Sequence, residues 1–396
     1  MGIERISDNV YSVGVLNPSL RVFDIVMEAK YGTTYNAYLI TGSKNVLVET
    51  VHTDYFDEYL FNVQSLIDIK DIHYLVMNHT ELDHSGSVRK LLKLNPDITI
   101  VCTTAAQKYL RAILNQDFNC IVVKQGDTLD IGNTELQFIV APLLHWPDSM
   151  MTYHPADQVL FSCDFLGCHF CEPAVFDRNI HYREAYLGEF AYYYAGIFGP
   201  FKPHVLSGLD KLEGLALQAV CPSHGPVLVG GIRERMADYR AWSTPEPKTG
   251  KNILVLYASA YGCTRLLAET AANAISENTQ IKAECIDVVF TPLSEVAAKA
   301  NGADALLIGS TTINRDAPKI IWDVLACIDA INVKGKPAGV FGSYGWSGEA
   351  VGMLKTRLSD LKYKVLGDGI KVNFMPDEAD LQTMADYAVQ VANMVK

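Results

Sequence analysis

His79-Thr-Glu-Leu-Asp-His84 places four candidate metal ligands within six residues, directly after the apolar run Tyr74-Leu-Val-Met-Asn78. The order is His-x-Glu-x-Asp-His. A carboxylate at the second position, Glu81, adds a hard anionic donor, which favours iron or manganese over zinc. That preference turns the expected chemistry from hydrolysis toward redox.

Three further candidates follow apolar runs that read as strands. His145 lies in Pro142-Leu-Leu-His-Trp-Pro-Asp148, Asp164 closes Val159-Leu-Phe-Ser-Cys163, and His224 lies in Cys221-Pro-Ser-His-Gly-Pro226. Strand ends on a rigid sheet hold ligands better than free loops do. A lone histidine at a strand end is more often a hydrogen-bonded structural residue, and the contiguous cluster is what makes the others candidates. Four histidines (79, 84, 145, 224) and three carboxylates (81, 83, 164) exceed the needs of one tetrahedral zinc. They suit two metals bridged by one carboxylate, with a surplus of positive charge that an oxo or hydroxo bridge can meet.

The segment Ser243-Thr-Pro-Glu-Pro-Lys-Thr-Gly-Lys-Asn252 reads as a linker, rich in proline, glycine and polar residues. Beyond it, strands are expected at 253–257, 282–288, 304–309, 337–342 and 363–367. Helices are expected at 264–276, 293–300, 317–330, 347–360 and 377–394. This alternation predicts a doubly wound parallel α/β sheet. Before the linker, strands are expected at 10–15, 22–28, 34–41, 45–49, 73–78, 98–101, 120–123, 135–140, 159–163 and 217–221. Helices are expected at 55–66, 86–94, 186–197 and 208–213. Strands first and helices later predict two sheets covered by helices.

Ala258-Ser-Ala-Tyr-Gly-Cys-Thr264 links the first C-terminal strand to its helix. A loop of small and hydroxyl residues before a helix N-terminus forms an anion nest. It is neither a Walker loop nor a Gly-x-Gly-x-x-Gly turn, so a flavin mononucleotide phosphate fits better than a dinucleotide. The candidates are Ser259, Ala260, Tyr261, Gly262, Cys263 and Thr264. Two more strand-end loops supply Ser310, Thr311, Thr312 and Asn314, and then Ser343, Tyr344, Gly345, Trp346 and Gly348. Tyr344 and Trp346 could flank an isoalloxazine ring, or be ordinary surface aromatics.

The chain has 396 residues, enough for two or three domains. Its formal net charge of -12 argues against nucleic acid. Nine cysteines without a framework spacing point to a reducing cytoplasm. No signal peptide and no membrane-spanning run are expected.

Taken together, the chain resembles the flavodiiron proteins over essentially its whole length. The resemblance rests on His79–Gly86, Leu144-His-Trp-Pro-Asp-Ser149, Asp164, Ser223-His-Gly225, Gly342-Ser-Tyr-Gly-Trp346 and Tyr31-Gly-Thr-Thr-Tyr-Asn-Ala-Tyr-Leu39. It implies a metallo-β-lactamase-like αββα sandwich over 1–248, followed by a flavodoxin-like FMN domain over 249–396. It implies that His79, Glu81, His145 and one oxygen of Asp164 bind one iron. Asp83, His84, His224 and the other oxygen of Asp164 bind the second, an oxo or hydroxo group completing the bridge. The implied reaction is reduction of dioxygen to water, of nitric oxide to nitrous oxide, or both, and so detoxification of these gases. A head-to-tail homodimer, or a dimer of dimers, is implied as well. No rubredoxin-type cysteine module or NAD-binding domain is recognisable, so electrons are expected from an external donor, a rubredoxin-type protein or reduced deazaflavin.

The chain departs from the family at Val22-Phe-Asp-Ile25, where many members carry Phe-His-Gly. Asp24 should change polarity and proton supply beside the metals. Cys168-His-Phe-Cys171 has metal-type spacing without a second pair, and inert thiols are the expectation there. Two alternatives remain at this stage. A dinuclear zinc hydrolase fused to a flavin domain is disfavoured by Glu81, since such enzymes usually carry histidine there. A flavin carrier with a degenerate scaffold is disfavoured because all seven ligand positions are filled.

Overall fold

The structure is a computed structural model describing residues 3–245, 247 and 250–395. The chain divides into two compact units, Met1–Pro245 and Glu246–Lys396. The boundary expected between residues 248 and 249 lies outside the described residues.

The first unit contains two mixed sheets. One has seven strands in chain order: Glu4–Arg5, Val10–Ser12, Tyr38–Ile40, Asn45–Val48, Ile72–Val76, Thr99–Cys102 and Asn119–Val122. The other has five, again in chain order: Thr128–Asp130, Glu135–Val140, Met150–His154, Val159–Cys163 and Ala219–Pro222. Alternate residues of both sheets meet in one core, including Tyr38, Val46, Val48, Val76 and Val101 from the first and Phe138, Met150 and Phe161 from the second. Burying such side chains contributes roughly 1.5–3 kcal/mol each. Helices pack a second core on the outer faces, so the layers run helix, sheet, sheet, helix. The last two strands of the second sheet, Val159–Cys163 and Ala219–Pro222, are parallel. That brings Asp164 and His224 to the same sheet end.

Several expectations are corrected. The strand expected over 22–28 is a tight hairpin of Val22–Phe23 against Met27–Glu28. Asp24 and Ile25 turn it with φ of 47° and 68°, and such a left-handed pair cannot sit within a strand. Strand Met150–His154 is buried at every position, so it shows no alternation. Strand Thr128–Asp130 is too short to read by period. Helix Thr104–Leu114 was not expected; Thr103 caps it by accepting from the Ala106 N–H. The expected linker begins too early, because Ser243 ends helix Ile232–Ser243 and is buried against the Tyr194 hydroxyl at 2.7 Å.

The second unit is a parallel sheet. Its spatial order is Lys282–Asp287, Asn252–Ala258, Ala305–Ser310 and Pro337–Tyr344, followed by Lys364–Val365 and Ile370–Asn373, which both pair with Pro337–Tyr344. This is the 2-1-3-4-5 order of flavodoxin-like folds. Helices Cys263–Asn278 and Glu378–Asn393 contribute to the core on one face. Leu293–Gly302, Lys319–Ala326 and Glu349–Asp360 contribute to the other. The helix expected over 317–330 is broken, with Asp329 capping a separate turn at Ala330–Val333. The strand expected over 363–367 shortens to two residues, and Ile370–Asn373 completes that edge.

Candidate metal centre and flavin loops

His79, Thr80 and Glu81 leave the sheet just after strand Ile72–Val76. The helix expected from residue 86 is preceded by a single turn, Leu82–Ser85, which carries Asp83 and His84. Strand geometry would send these neighbours to opposite faces, whereas a helical turn separates them by about 100°. Both therefore reach one locus. The turn is held by Ser85 Oγ donating to the Thr80 carbonyl at 2.7 Å, and the Thr50 hydroxyl also donates to the His84 carbonyl.

All seven predicted ligands converge, and Asp164 divides them. Its Oδ2 faces His79 Nε2 at 3.8 Å and His145 Nε2 at 3.5 Å. Glu81 Oε2 lies 3.2 Å from His79 Nε2 and 3.4 Å from His145 Nε2. Asp164 Oδ1 faces His84 Nε2 at 3.3 Å and His224 Nε2 at 3.5 Å. Asp83 lies 3.3 Å from His84 Nε2 and 2.9 Å from His224 Nε2. Potential ligand atoms of His79, Glu81 and His145 lie within 4.8 Å of one another, as do those of Asp83, His84 and His224.

The site fits cations. Asp83, His84, Asp164 and His224 are buried. The oxygens of Asp83 face the imidazoles of His84 and His224, so the ligand atoms are turned toward a common point. Burial alone would raise the Asp164 carboxyl, but the surrounding imidazoles, led by His84, hold it well below the usual range. Burial alone would likewise depress His79, yet hydrogen bonds to Asp148 and Glu81 push it up to about 10. The metal-free site thus keeps its negative charge and balances it with protons.

A supporting layer orients these ligands, and the motif reading missed most of it. Asp148 is fully buried, lies 3.2 Å from His79 Nδ1, and accepts from the Thr80 N–H at 2.9 Å and hydroxyl at 2.7 Å. His224 Nδ1 meets the Thr34 carbonyl at 2.6 Å. With Nδ1 donating in each ring, Nε2 is left free to bind metal. Tyr193 donates to Asp164 Oδ1 at 3.2 Å. Glu49, whose carboxyl burial pushes up to about 7, accepts from the Asn78 N–H. Three-residue spacing from His145 is a signal for Asp148; nothing local singles out Tyr193 within Tyr192-Tyr-Tyr194.

A cleft of about 380 Å³ opens on the site, lined by residues that include Asp24, Tyr35, Glu81, Asp83 and Trp146. Asp24 therefore does stand beside the metal ligands. Burial and a hydrogen bond with Glu81 push its carboxyl up to about 7. Cys168 is buried and Cys171 partly so, and burial raises both thiols.

In the second unit the three candidate loops share the C-terminal sheet end, with Ala258 in register with Ser310. Gly262 has φ of 89° and leads into helix Cys263–Asn278. The candidates divide by exposure. Thr264, Ser310 and Ser343 are buried, with Thr264 Oγ1 and Ser343 Oγ 2.9 Å apart and Ser310 Oγ donating to the Thr311 carbonyl. Their hydroxyls brace the loops. Ser259, Ala260, Thr311, Thr312, Asn314, Tyr344, Gly345 and Gly348 stay at least partly accessible, with Gly262 and Cys263 at the helix start. Tyr261 and Trp346 are over nine-tenths exposed, free to cover a planar ring. Phe374, which sequence reading did not single out, packs against Gly345, where a Cβ would lie 2.6 Å from its ring.

Comparison with known proteins matches residues 33–225 to the ODP family beta lactamase and 255–386 to flavodoxin. The flavo-diiron protein FprA2 of Clostridium acetobutylicum is 47% identical over 99% of both chains. The anaerobic nitric oxide reductase flavorubredoxin of Escherichia coli is 32% identical over 98% of this chain and 81% of its own length. The rubredoxin oxygen:oxidoreductase of Desulfovibrio gigas superposes with a TM-score of 0.70 at 28% identity, covering 99% of this chain and 98% of that one. The chain belongs to the flavodiiron protein family of oxidoreductases.

Proposed function

We propose that this protein reduces dioxygen to water, nitric oxide to nitrous oxide, or both, in the cytoplasm. Electrons come from an external rubredoxin-type protein or reduced deazaflavin and pass through FMN. The observation that carries this reading is the division of the ligands by Asp164, whose Oδ2 faces His79 and His145 and whose Oδ1 faces His84 and His224. His79, Glu81 and His145 with Oδ2 would hold one iron; Asp83, His84 and His224 with Oδ1 would hold the other. When bound, two ferrous ions and a reduced flavin would supply the four electrons that water formation needs, and the ions would polarise the gas.

The protein's own groups do the rest. Asp148 and the Thr34 carbonyl fix the imidazole tautomers. The Tyr193 hydroxyl oxygen, 3.2 Å away, donates its proton to Asp164 Oδ1, and Asp24 can hold one at the cleft, where its carboxyl is pushed up to about 7. The relatives named for rubredoxin:oxygen and nitric oxide reductase activity support both gases. A head-to-tail homodimer or dimer of dimers would bring a partner's flavin toward these metals. Among the described residues, no helix is long and apolar enough to cross a membrane.

The test is anaerobic stopped-flow on protein with iron and flavin quantified, fully reduced, then mixed separately with each gas. Rapid reoxidation of both centres by one gas identifies the substrate. Slow reoxidation by both, at full loading, would remove the reductase assignment.

A further inference from the structure

Cys102 and Cys120 lie outside the metal centre and the flavin loops, with Sγ atoms 3.7 Å apart. They sit on adjacent parallel strands, Thr99–Cys102 and Asn119–Val122, where Ile100 pairs with Cys120 and Cys102 with Val122. Side chains two apart on a strand share a face, so both thiols lean into the same outer core. Cys102 is buried and Cys120 is partly exposed.

We propose that Cys102 and Cys120 form a reversible dithiol–disulfide couple that reacts with hydroperoxides, Cys120 attacking and Cys102 resolving. The assignment follows from access, since only Cys120 can meet a peroxide from solvent. It is reinforced by a hydrogen bond from the Cys102 thiol, which together with Gln107 and the Arg111 charge outweighs burial and brings the Cys120 thiol down to about 7. A thiolate at neutral pH is the reactive form. The Cys120 thiolate takes one oxygen from the peroxide, its sulfur losing two electrons as the O–O bond breaks. This forms Cys120–SOH and releases an alkoxide or hydroxide that takes a proton from solvent. The Cys102 thiol then attacks that sulfur, forming the S–S bond and releasing water. In sum, two thiols and one hydroperoxide give one disulfide, one alcohol or water, and one further water.

The strand geometry indicates why the bond would be labile. Strands about 4.8 Å apart with a rise of about 3.3 Å per residue put Cα atoms two residues out of register roughly 8 Å apart, beyond the approximately 4.4–6.8 Å of a relaxed disulfide. Closure therefore requires one strand to slide. Asn119–Val122 is able to, because it ends the seven-stranded sheet and pairs only with Thr99–Cys102. A bond formed under that strain is easily reduced, as a switch requires and a structural cross-link does not.

This inference stands apart from the reading of the metal site. Its test treats the holoenzyme, with flavin and iron oxidised, with a few equivalents of hydrogen peroxide. The protein is then alkylated with N-ethylmaleimide in denaturant and mapped by mass spectrometry. The expected result is a Cys102–Cys120 cross-linked peptide, reversed by dithiothreitol, while Cys327, the exposed cysteine, stays alkylatable. In Cys102→Ser, Cys120 should instead accumulate as a sulfenic acid trapped by dimedone; in Cys120→Ser, Cys102 should stay reduced. Full alkylation of both thiols in the peroxide-treated wild type would overturn the proposal whatever the variants do. So would oxidation of Cys102 in Cys120→Ser at the wild-type rate.

Discussion

Replacing Asp148 by asparagine should weaken one metal position and spare the other. Asp148 never touches the proposed ligand atoms; it acts through His79 Nδ1 at 3.2 Å. Asparagine keeps one oxygen, and the two short bonds from Thr80 both converge on a single oxygen, Oδ2. That oxygen can be retained for Thr80, so the local fold survives. His79 Nδ1 faces both carboxylate oxygens, Oδ2 at 3.2 Å and Oδ1 at 3.3 Å, so the NH2 that replaces Oδ1 sets a donor against the Nδ1–H and favours the tautomer with its proton on Nε2, the atom needed by the metal. Loss of such an orienting partner weakens metal binding by about 10–100-fold, or about 1.4–2.8 kcal/mol. The effect should fall on the His79, Glu81 and His145 position. In the other position, of Asp83, His84 and His224, His224 is oriented by the Thr34 carbonyl instead, and its metal should be held within about twofold. The assay is a two-site ferrous titration of the metal-free chain against a competing chelator. Two unchanged sites, or equal weakening of both, would refute the orienting role.

The remaining expectations are more direct. Asp164→Ala should abolish gas reduction and uncouple the two metal positions while FMN content stays unchanged; turnover at the wild-type rate would end the bridging assignment. Trp346→Ala should lower FMN retention or slow flavin-to-iron transfer, and unchanged occupancy with an unchanged rate would take Trp346 out of the flavin site. Metal loading should expel protons, because His79 is pushed up to about 10 in the metal-free site. Affinity should therefore rise by about one log unit per pH unit for each displaced proton, and calorimetry in buffers of different ionisation enthalpy would count those protons. The same shift makes the metal-free fold less stable at high pH. Its contribution is complete below the unfolded value near 6.5, and is lost as pH rises through about 10; a flat profile of melting temperature across that window would contradict the shift.

Legibility from sequence followed how local each feature is. His79 to His84 are contiguous, so their chemistry could be read before any fold was known. His145, Asp164 and His224 could be read because each follows an apolar strand. Tyr193 and Glu49 act through approach across the fold, and no spacing encodes it. The alternating second unit was readable because a parallel sheet buried on both faces leaves continuous apolar runs. Helix Thr104–Leu114 was missed although its buried Ala106, Leu110 and Leu114 recur at helical spacing. At Asp24 and Ile25 the apolar run 22–28 suggested a strand, and two left-handed residues made a turn instead. For Thr264, Ser310 and Ser343 the hydroxyls are legible in the sequence but not their partners, which are one another and the Thr311 carbonyl.

The order of the strands along the chain also bears on biosynthesis. Both large sheets of the first unit are laid down in chain order, with Ala219–Pro222 last. A nascent chain that has emerged through Asp164 already carries His79, Glu81, His145 and both oxygens of Asp164. The second set stays one ligand short until His224 leaves the ribosome, and that requires the final strand to dock beside Val159–Cys163. Domains emerging from the ribosome tend to fold N-terminal first. The metal-bearing unit would thus be completed only when that last strand docks, yet before the flavin loops have been synthesised.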